Sequence, residues 1–355
     1  MSDLFPPERI IQVDLKELGW DGFFASQPCA GVPGRVASAN REHFVVWTEN
    51  GEREASVSGQ LRHSGRAWPA VGDWVTLRTD LPLIENVFER KTVLSRRQAG
   101  RTIDEQVLAA NVDVLFVVSG LDHDFNERRI ERYLVLARQS GARPVILLNK
   151  ADLAPGNGLD LAGIVTRLAN WSGGAKVVPV SALAGEGLAG LAASLQPGET
   201  AALIGSSGVG KSTIVNHLLG ESRQAVNHVR AGDDRGRHTT TTRSLFRMPG
   251  GWLLIDMPGL REVQLWASSE SLDSGFDDIR ELANQCRFRD CTHAGEPGCA
   301  VEAVGLDAGR LENYRKMHRE LDYLDRKADK RLMSETRARW KVIHKAMRKN
   351  PKRDG

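Results

Sequence analysis

Two textures of apolar and polar positions divide this chain. Up to about residue 96 the apolar runs are short and broken by Gly and Pro. From about Ile103 they become longer and alternate with segments of helical period. In the first region, HFVVWTENGEREASVSG sets a β-rich run and an alternating run on either side of a turn at Asn50-Gly51. AVGDWVTLR and LIENVFERKTVL continue the short punctuated strands. About five strands in about sixty residues predict a small closed β-barrel of OB type, and the residues before it read as a polar, partly helical lead-in. In the second region VDVLFVVS (Val112 to Ser119) is an apolar run of the buried parallel-strand kind. The segment after it predicts a helix with Asn126 as N-cap and Ile130, Leu134 and Ala137 on one face. RPVILLNK, VVPVS (Val177 to Ser181), AALIG (Ala201 to Gly205) and GWLLIDMPG add further strands of an α/β sheet. After about Trp266 the pattern turns helical and charged, and no internal repeat is visible.

The chemistry sits where those strands end, which is where open parallel sheets bind ligands. GSSGVGKST (Gly205, Ser206, Ser207, Gly208, Val209, Gly210, Lys211, Ser212, Thr213) matches the phosphate-loop pattern between a predicted strand and a predicted helix. Its glycines allow a tight path that aims backbone N–H groups at phosphates, and the helix start adds its dipole. Lys211 is expected to reach the β- and γ-phosphates, and the Ser212 hydroxyl to ligate Mg²⁺. NKAD (Asn149, Lys150, Ala151, Asp152) ends another apolar strand. The Asp152 carboxylate can accept from both N1–H and the N2 amine of guanine, a pattern that adenine does not offer. Asn149 would brace neighbouring loops and the Lys150 stem would cover one face of the ring. Ser181 and Ala182 would complete the base pocket.

The order of these motifs is unusual, because the base reader precedes the phosphate loop. A nucleotide site is defined in space, so a chain reconnected in this permuted order can still build it. DMPG then offers Asp256 for the Mg²⁺ shell and the Gly259 N–H for a γ-phosphate. Between the two, GRHTTTTR is a switch-like segment in which Thr240 is the expected Mg²⁺ ligand. Position 260, where many GTPases carry a catalytic Gln, is Leu, so His238 is the candidate for orienting the attacking water. Intrinsic hydrolysis is expected to be slow and to depend on a partner.

Composition changes this picture in two places. Three of the four cysteines cluster as Cys286-x4-Cys291-x-His293-x5-Cys299, a Cys₃His set suited to one closed structural Zn²⁺ site. Such an ion would nucleate a segment poor in apolar residues. Cys29 stands alone and is expected to be a buried small residue. The net charge of +3 also conceals an asymmetry: from Arg310 onward there are 16 Lys and Arg against 7 Asp and Glu, +9, while the remainder carries −6. A tail this basic suits a polyanion such as RNA. No apolar run reaches the roughly 18–20 residues that span a bilayer. The opening MSDLFPPERI lacks the basic and apolar regions of a secretory signal, so a cytoplasmic location without membrane attachment is expected.

Asn149 to Asp152 ahead of Gly205 to Thr213, GRHTTT before DMPG, and the Cys286/Cys291/His293/Cys299 set together resemble the bacterial ribosome small-subunit-dependent GTPase A (RsgA) proteins, which are circularly permuted GTPases. The resemblance implies an OB-fold for the barrel and GTP hydrolysis stimulated by the 30S subunit late in its maturation. It also implies contact with 16S rRNA near the decoding region and a catalytic role for His238; Lys211 of the phosphate loop is the other candidate catalytic residue. The expected organisation is an extension over 1–32, an OB-type β-barrel over 33–98, a circularly permuted α/β P-loop GTPase domain over 99–266, and a helical zinc-binding domain with a basic tail over 267–355. The chain is expected to be a monomer that binds GTP and GDP. A permuted GTPase acting on another ribosomal particle, and an RNA-binding module with a structural nucleotide site, are the alternatives.

Overall fold

The computed structural model describes residues 13–40, 42–97, 105–220, 243–256, 272–273, 275–323 and 326. These fall into two compact units, the first holding the residues up to Asp256 and the second those from Leu272 onward.

The first unit opens with a 3-10 turn, Leu15–Leu18, and a one-turn helix α1 (Gly22–Ala25), each capped by an aspartate, Asp14 and Asp21. The barrel strands follow: β1 (Val32–Asn40), β2 (His43–Thr48), β3 (Gly51–Val57), β4 (Trp74–Leu77) and β5 (Leu83–Val87), with α2 (Gly59–His63) after β3. β1 pairs antiparallel with β2 and with β4, β2 with β3, β4 with β5, and β3 runs parallel to β5. The ring therefore closes, which removes the open strand edges that invite mispairing. Val36, Phe44, Val46, Ala55, Val57, Val75, Leu77 and Ile84 fill its interior. Alternation along β2, where every second residue is buried, turns one face of the strand into that core.

The barrel is smaller than the strand-rich region of the sequence. β6 (Val93–Arg97) leaves it and pairs with β7 (Glu105–Ala110) in a separate antiparallel ribbon. The lead-in, for its part, is not a detached extension. Leu15, Leu18 and Phe24 are buried, and Trp20 meets Trp74 and Phe88 edge-on at 4.7 and 5.3 Å. Cys29, expected to be buried, is exposed: the lead-in anchors through its aromatic residues, and the loop bearing Cys29 stays at the surface.

Next comes a sheet ordered β10-β9-β8-β11-β13-β12, made of β8 (Val114–Gly120), β9 (Arg143–Asn149), β10 (Lys176–Pro179), β11 (Thr200–Ile204), β12 (Arg243–Arg247) and β13 (Leu253–Asp256). All run parallel except β12, which is antiparallel to β13 and on its other side pairs with β1 at Ser38–Ser244 and Ala39–Arg243. Helices α3 (Glu127–Ser140), α4 (Leu161–Trp171), α5 (Leu188–Ala192) and α6 (Lys211–Leu219) connect the strands. In α3, Asn126 caps the first turn, accepting from Arg128 N and Arg129 N, and Ile130, Leu134 and Ala137 face the core as the period predicts.

One charge is sunk where barrel and sheet meet. Arg35, only 1% exposed, donates to Leu18 O, to Gly72 O at 3.3 Å, to Asn111 O at 3.1 Å and to Thr200 Oγ1 at 2.7 Å. Burial pulls its pKa down to about 10. Lead-in, barrel and the first residue of β11 thus share one guanidinium.

The second unit holds α7 (Asp277–Ala283), α8 (Ala300–Ala303) and a helix over residues 308–323. Phe276, Ile279, Val301, Tyr314 and Met317 are buried in it. Arg310 lies over the Phe276 ring at 4.6 Å and grips the Asp278 carboxylate with both arms of its fork, at 2.9 and 2.6 Å. Among the described residues no helix is long and apolar enough to cross a membrane.

Candidate nucleotide site and metal centre

At the C-terminal ends of β8, β9, β11 and β13 lie Gly120, Asn149, Gly205 and Asp256, and just past β10 lies Ser181. β11 leads into the phosphate loop and α6 leaves it, with Gly210 at the helix cap in the left-handed region, φ 95°. Glycine is required there twice over, because a Cβ on Gly210 would run into the Asn149 amide nitrogen. Lys211 Nζ turns back over the loop, donating to Gly205 O at 2.7 Å and Ser206 O at 2.6 Å. Burial lowers the pKa of this ammonium, and the Asp256 carboxylate opposes that shift. The two charges therefore converge on the same mouth.

Asn149 ties the motifs together. Its side chain, 2% exposed, donates from Nδ2 to Val209 O at 2.8 Å and accepts at Oδ1 from Ala182 N at 2.9 Å. One amide thus bridges the phosphate loop, 60 residues ahead, and the Ser181–Ala182 turn, 33 residues ahead. Ser181 is fixed by mutual backbone hydrogen bonds with Glu186, both 3.1 Å. Lys150 adopts φ 62°, uncommon for a residue with a Cβ, and its ammonium lies 2.5 Å from Asp122 Oδ2. The Lys150 hydrogen bond holds the Asp122 carboxyl below its usual range. Asp152 follows in a 3-10 turn, Ala151–Leu153, with its side chain exposed. Ser207, Gly208, Ser212 and Thr213 are exposed along the same mouth, whereas Val209 is buried.

His238, Thr240 and Gly259 lie outside the described residues, as do Leu260 and the basic tail beyond residue 326. Asp122 was passed over in the sequence. Its signal was a carboxylate two residues past the end of an apolar strand, a position visible only once that strand is known to neighbour the one carrying NKAD.

In the second unit, Cys286, Cys291, His293 and Cys299 each turn one ligand atom inward, and these atoms all lie within 4.8 Å of one another. His293 Nδ1 is 3.6 Å from Cys286 Sγ and 3.5 Å from Cys299 Sγ, and the two sulfurs are 4.0 Å apart. A tetrahedral ion with bonds of about 2.1–2.3 Å has ligand–ligand edges of about 3.5–3.8 Å, so this cluster can hold a metal ion. All three cysteines are free thiols. Burial first, and then the neighbouring sulfurs, push the Cys291 thiol up to about 12. The loop is pinned by Glu296, which accepts from Thr292 Oγ1, from Thr292 N at 2.9 Å and from Ala294 N at 2.6 Å.

A family model described as RsgA GTPase matches residues 87–266, half of the chain. A "Small ribosomal subunit biogenesis GTPase RsgA" of Opitutus terrae is 45% identical over 96% of this chain and 99% of its own length. This chain belongs to the RsgA GTPase family. It is accordingly a GTPase, built from a closed five-stranded barrel, a P-loop GTPase sheet in permuted order and a C-terminal Cys₃His cluster. A protein of the same name from Methanosarcina acetivorans is 43% identical over 89% of this chain and 87% of that one. Among solved structures, YjeQ from Thermotoga maritima superposes with a TM-score of 0.61 at 28% identity, covering 82% of this chain and 98% of that chain. YloQ, titled a circularly permuted GTPase, superposes with a TM-score of 0.57 at 23% identity over 82% of this chain and 96% of its own.

Proposed function

We propose that this RsgA-family chain hydrolyses GTP on the small ribosomal subunit, acting late in its maturation and bound there to 16S rRNA as a cytoplasmic monomer. Its curated relatives are named for small-subunit biogenesis, which supports that setting. The observation that carries the nucleotide reading is the Asn149 bridge, which brings a base-reading motif and a phosphate loop to one mouth although the chain presents them in reversed order. Asp152 accepts from guanine, with Ala151, Ser181 and Ala182 around the base and the Lys150 stem over its ring. Gly205 to Thr213 cradle the phosphates, with Lys211 at the β- and γ-positions and the Gly259 N–H at the γ-phosphate. Ser212 and Asp256, completed by Thr240, suit Mg²⁺, which when bound would neutralise charge developing on the phosphate oxygens. His238 orients the water that attacks the γ-phosphorus; the bond to the β-phosphate oxygen breaks, leaving GDP and inorganic phosphate. In the Cys₃His cluster the thiolate-rich donor set and short edges favour Zn²⁺ in a closed structural role.

The deciding experiment measures GTP turnover alone and with isolated 30S, 50S and 70S particles. Marked stimulation by 30S only is expected. Equal slow rates in all four conditions would remove the switch reading, and stimulation by 50S would redirect it to the other subunit.

A further inference from the structure

The segment Gly120–Asn126 links the ends of β8 and α3, and its two aspartates reach opposite sides of the nucleotide mouth. Asp122 holds Lys150 on the base side. Asp124 works on the phosphate side through Arg129, at the start of α3. Arg129 grips Asp124 with both arms of its fork, Nη1 to Oδ2 at 2.6 Å and Nη2 to Oδ1 at 3.1 Å. The second hydrogen on Nη1 goes to Ser206 Oγ at 2.6 Å. A partly exposed Arg–Asp pair alone contributes little. The third partner changes its meaning, because Ser206 belongs to the phosphate loop.

Ser206 is therefore held twice. Its backbone oxygen accepts from Lys211 Nζ, and its hydroxyl accepts from Arg129. Bidentate pairing with Asp124 aims the guanidinium, so that its free N–H meets the loop in one orientation. The Asn126 cap on Arg128 N and Arg129 N fixes the backbone from which Arg129 projects. We propose that Arg129 is a positioning residue of the phosphate loop, a cation supplied from within the same chain that holds the first turn of the loop ready for the nucleotide phosphates. The inference rests on the GTP reading above. Arg129 touches no reacting atom, so its contribution is to binding: loop ordering completed before the phosphates arrive is not charged against affinity.

The test compares Arg129→Ala, Arg129→Lys, Ser206→Ala and the Arg129→Ala/Ser206→Ala double variant of the full chain. GDP affinity, GDP release rate and the steady-state split between kcat and KM are measured beside the melting temperature. Arg129→Ala is expected to weaken GDP binding and raise KM about tenfold while kcat stays within about twofold, the scale of one charge-assisted hydrogen bond. Ser206→Ala should weaken GDP binding at least as much, and the double variant should bind GDP no worse than Ser206→Ala alone, since both substitutions remove the same bond. Arg129→Lys, which can reach Ser206 but cannot fork onto Asp124, should recover part of the loss. GDP affinity unchanged in Arg129→Ala, or fully additive losses in the double variant, would overturn the proposal. If Arg129→Ala does not fold, Ser206→Ala decides: normal GDP affinity there overturns it. Wild-type protein that fails to bind GDP sinks the GTP reading itself, a result distinguishable from all of these.

Discussion

Removing the Asn149 amide tests the architecture of the site most directly. Asn149→Ala deletes the donor to Val209 O and the acceptor for Ala182 N, bonds of 2.8 and 2.9 Å at a side chain 2% exposed. Each stranded backbone group costs about 1–3 kcal/mol when no water reaches it. Both groups lie beside an open mouth, so water offsets part of this, and a net destabilisation of about 2–4 kcal/mol is expected. Affinity should fall by a comparable free energy, because the same change releases the phosphate loop and the Ser181–Ala182 turn together. With about 1.4 kcal/mol per tenfold, loss of both braces predicts weakening of GDP binding by about a hundredfold or more. Urea unfolding of the nucleotide-free protein reads the first quantity, and titration with a fluorescent GDP analogue reads the second. Unchanged stability together with unchanged affinity would refute the idea that one buried amide integrates the site. Normal stability with lost affinity would restrict Asn149 to the base.

Three further outcomes follow from the structure. Arg35→Ala should destabilise the first unit by about 3–5 kcal/mol in chemical denaturation, because carbonyl acceptors from the lead-in, the barrel and the β7–β8 turn lose their shared donor; a cost below about 1 kcal/mol would show that water replaces the guanidinium. Chelation at neutral pH should release one metal ion per chain and loosen the segment 286–299 in hydrogen exchange, with nucleotide binding retained. Protection that is unaltered after metal loss would deny the cluster its structural role. Glu296 is depressed to about 2, chiefly by the Thr292 hydroxyl, so its folded value lies below its unfolded one near 4.5. Its stabilisation is therefore complete above pH 4.5 and fades as pH falls toward 2. The gap in melting temperature between wild type and Glu296→Gln should narrow over that window, and a gap independent of pH would contradict the assignment.

Local chemistry was legible along the chain. A glycine loop followed by Lys211-Ser212, NKAD at the end of an apolar strand and four soft ligands within fourteen residues declare themselves because each depends on neighbours only a few positions away. The α3 face carrying Ile130, Leu134 and Ala137 was legible for the same reason, since helical period is a local property. The burial of the lead-in was not, because Trp20 finds Trp74 and Phe88 more than fifty residues downstream, beyond the range of any spacing rule. Nor was the departure of β6 from the barrel: ring closure depends on β3 pairing with β5 and on β1 reaching β4, not on the composition of β6.

By itself, then, the sequence supplied the candidate groups for guanine, phosphate and a soft metal ion, since those candidacies rest on side-chain chemistry and short backbone turns. Tertiary structure alone decided that Asn149 spans two loops, that Arg35 is shared by lead-in, barrel and sheet, and that Arg129 reaches Ser206. The physical reason is that each of these bonds joins positions brought together by strand order. A hydrogen bond across 33 to 165 residues is set by which strands lie side by side, and not by any spacing along the chain.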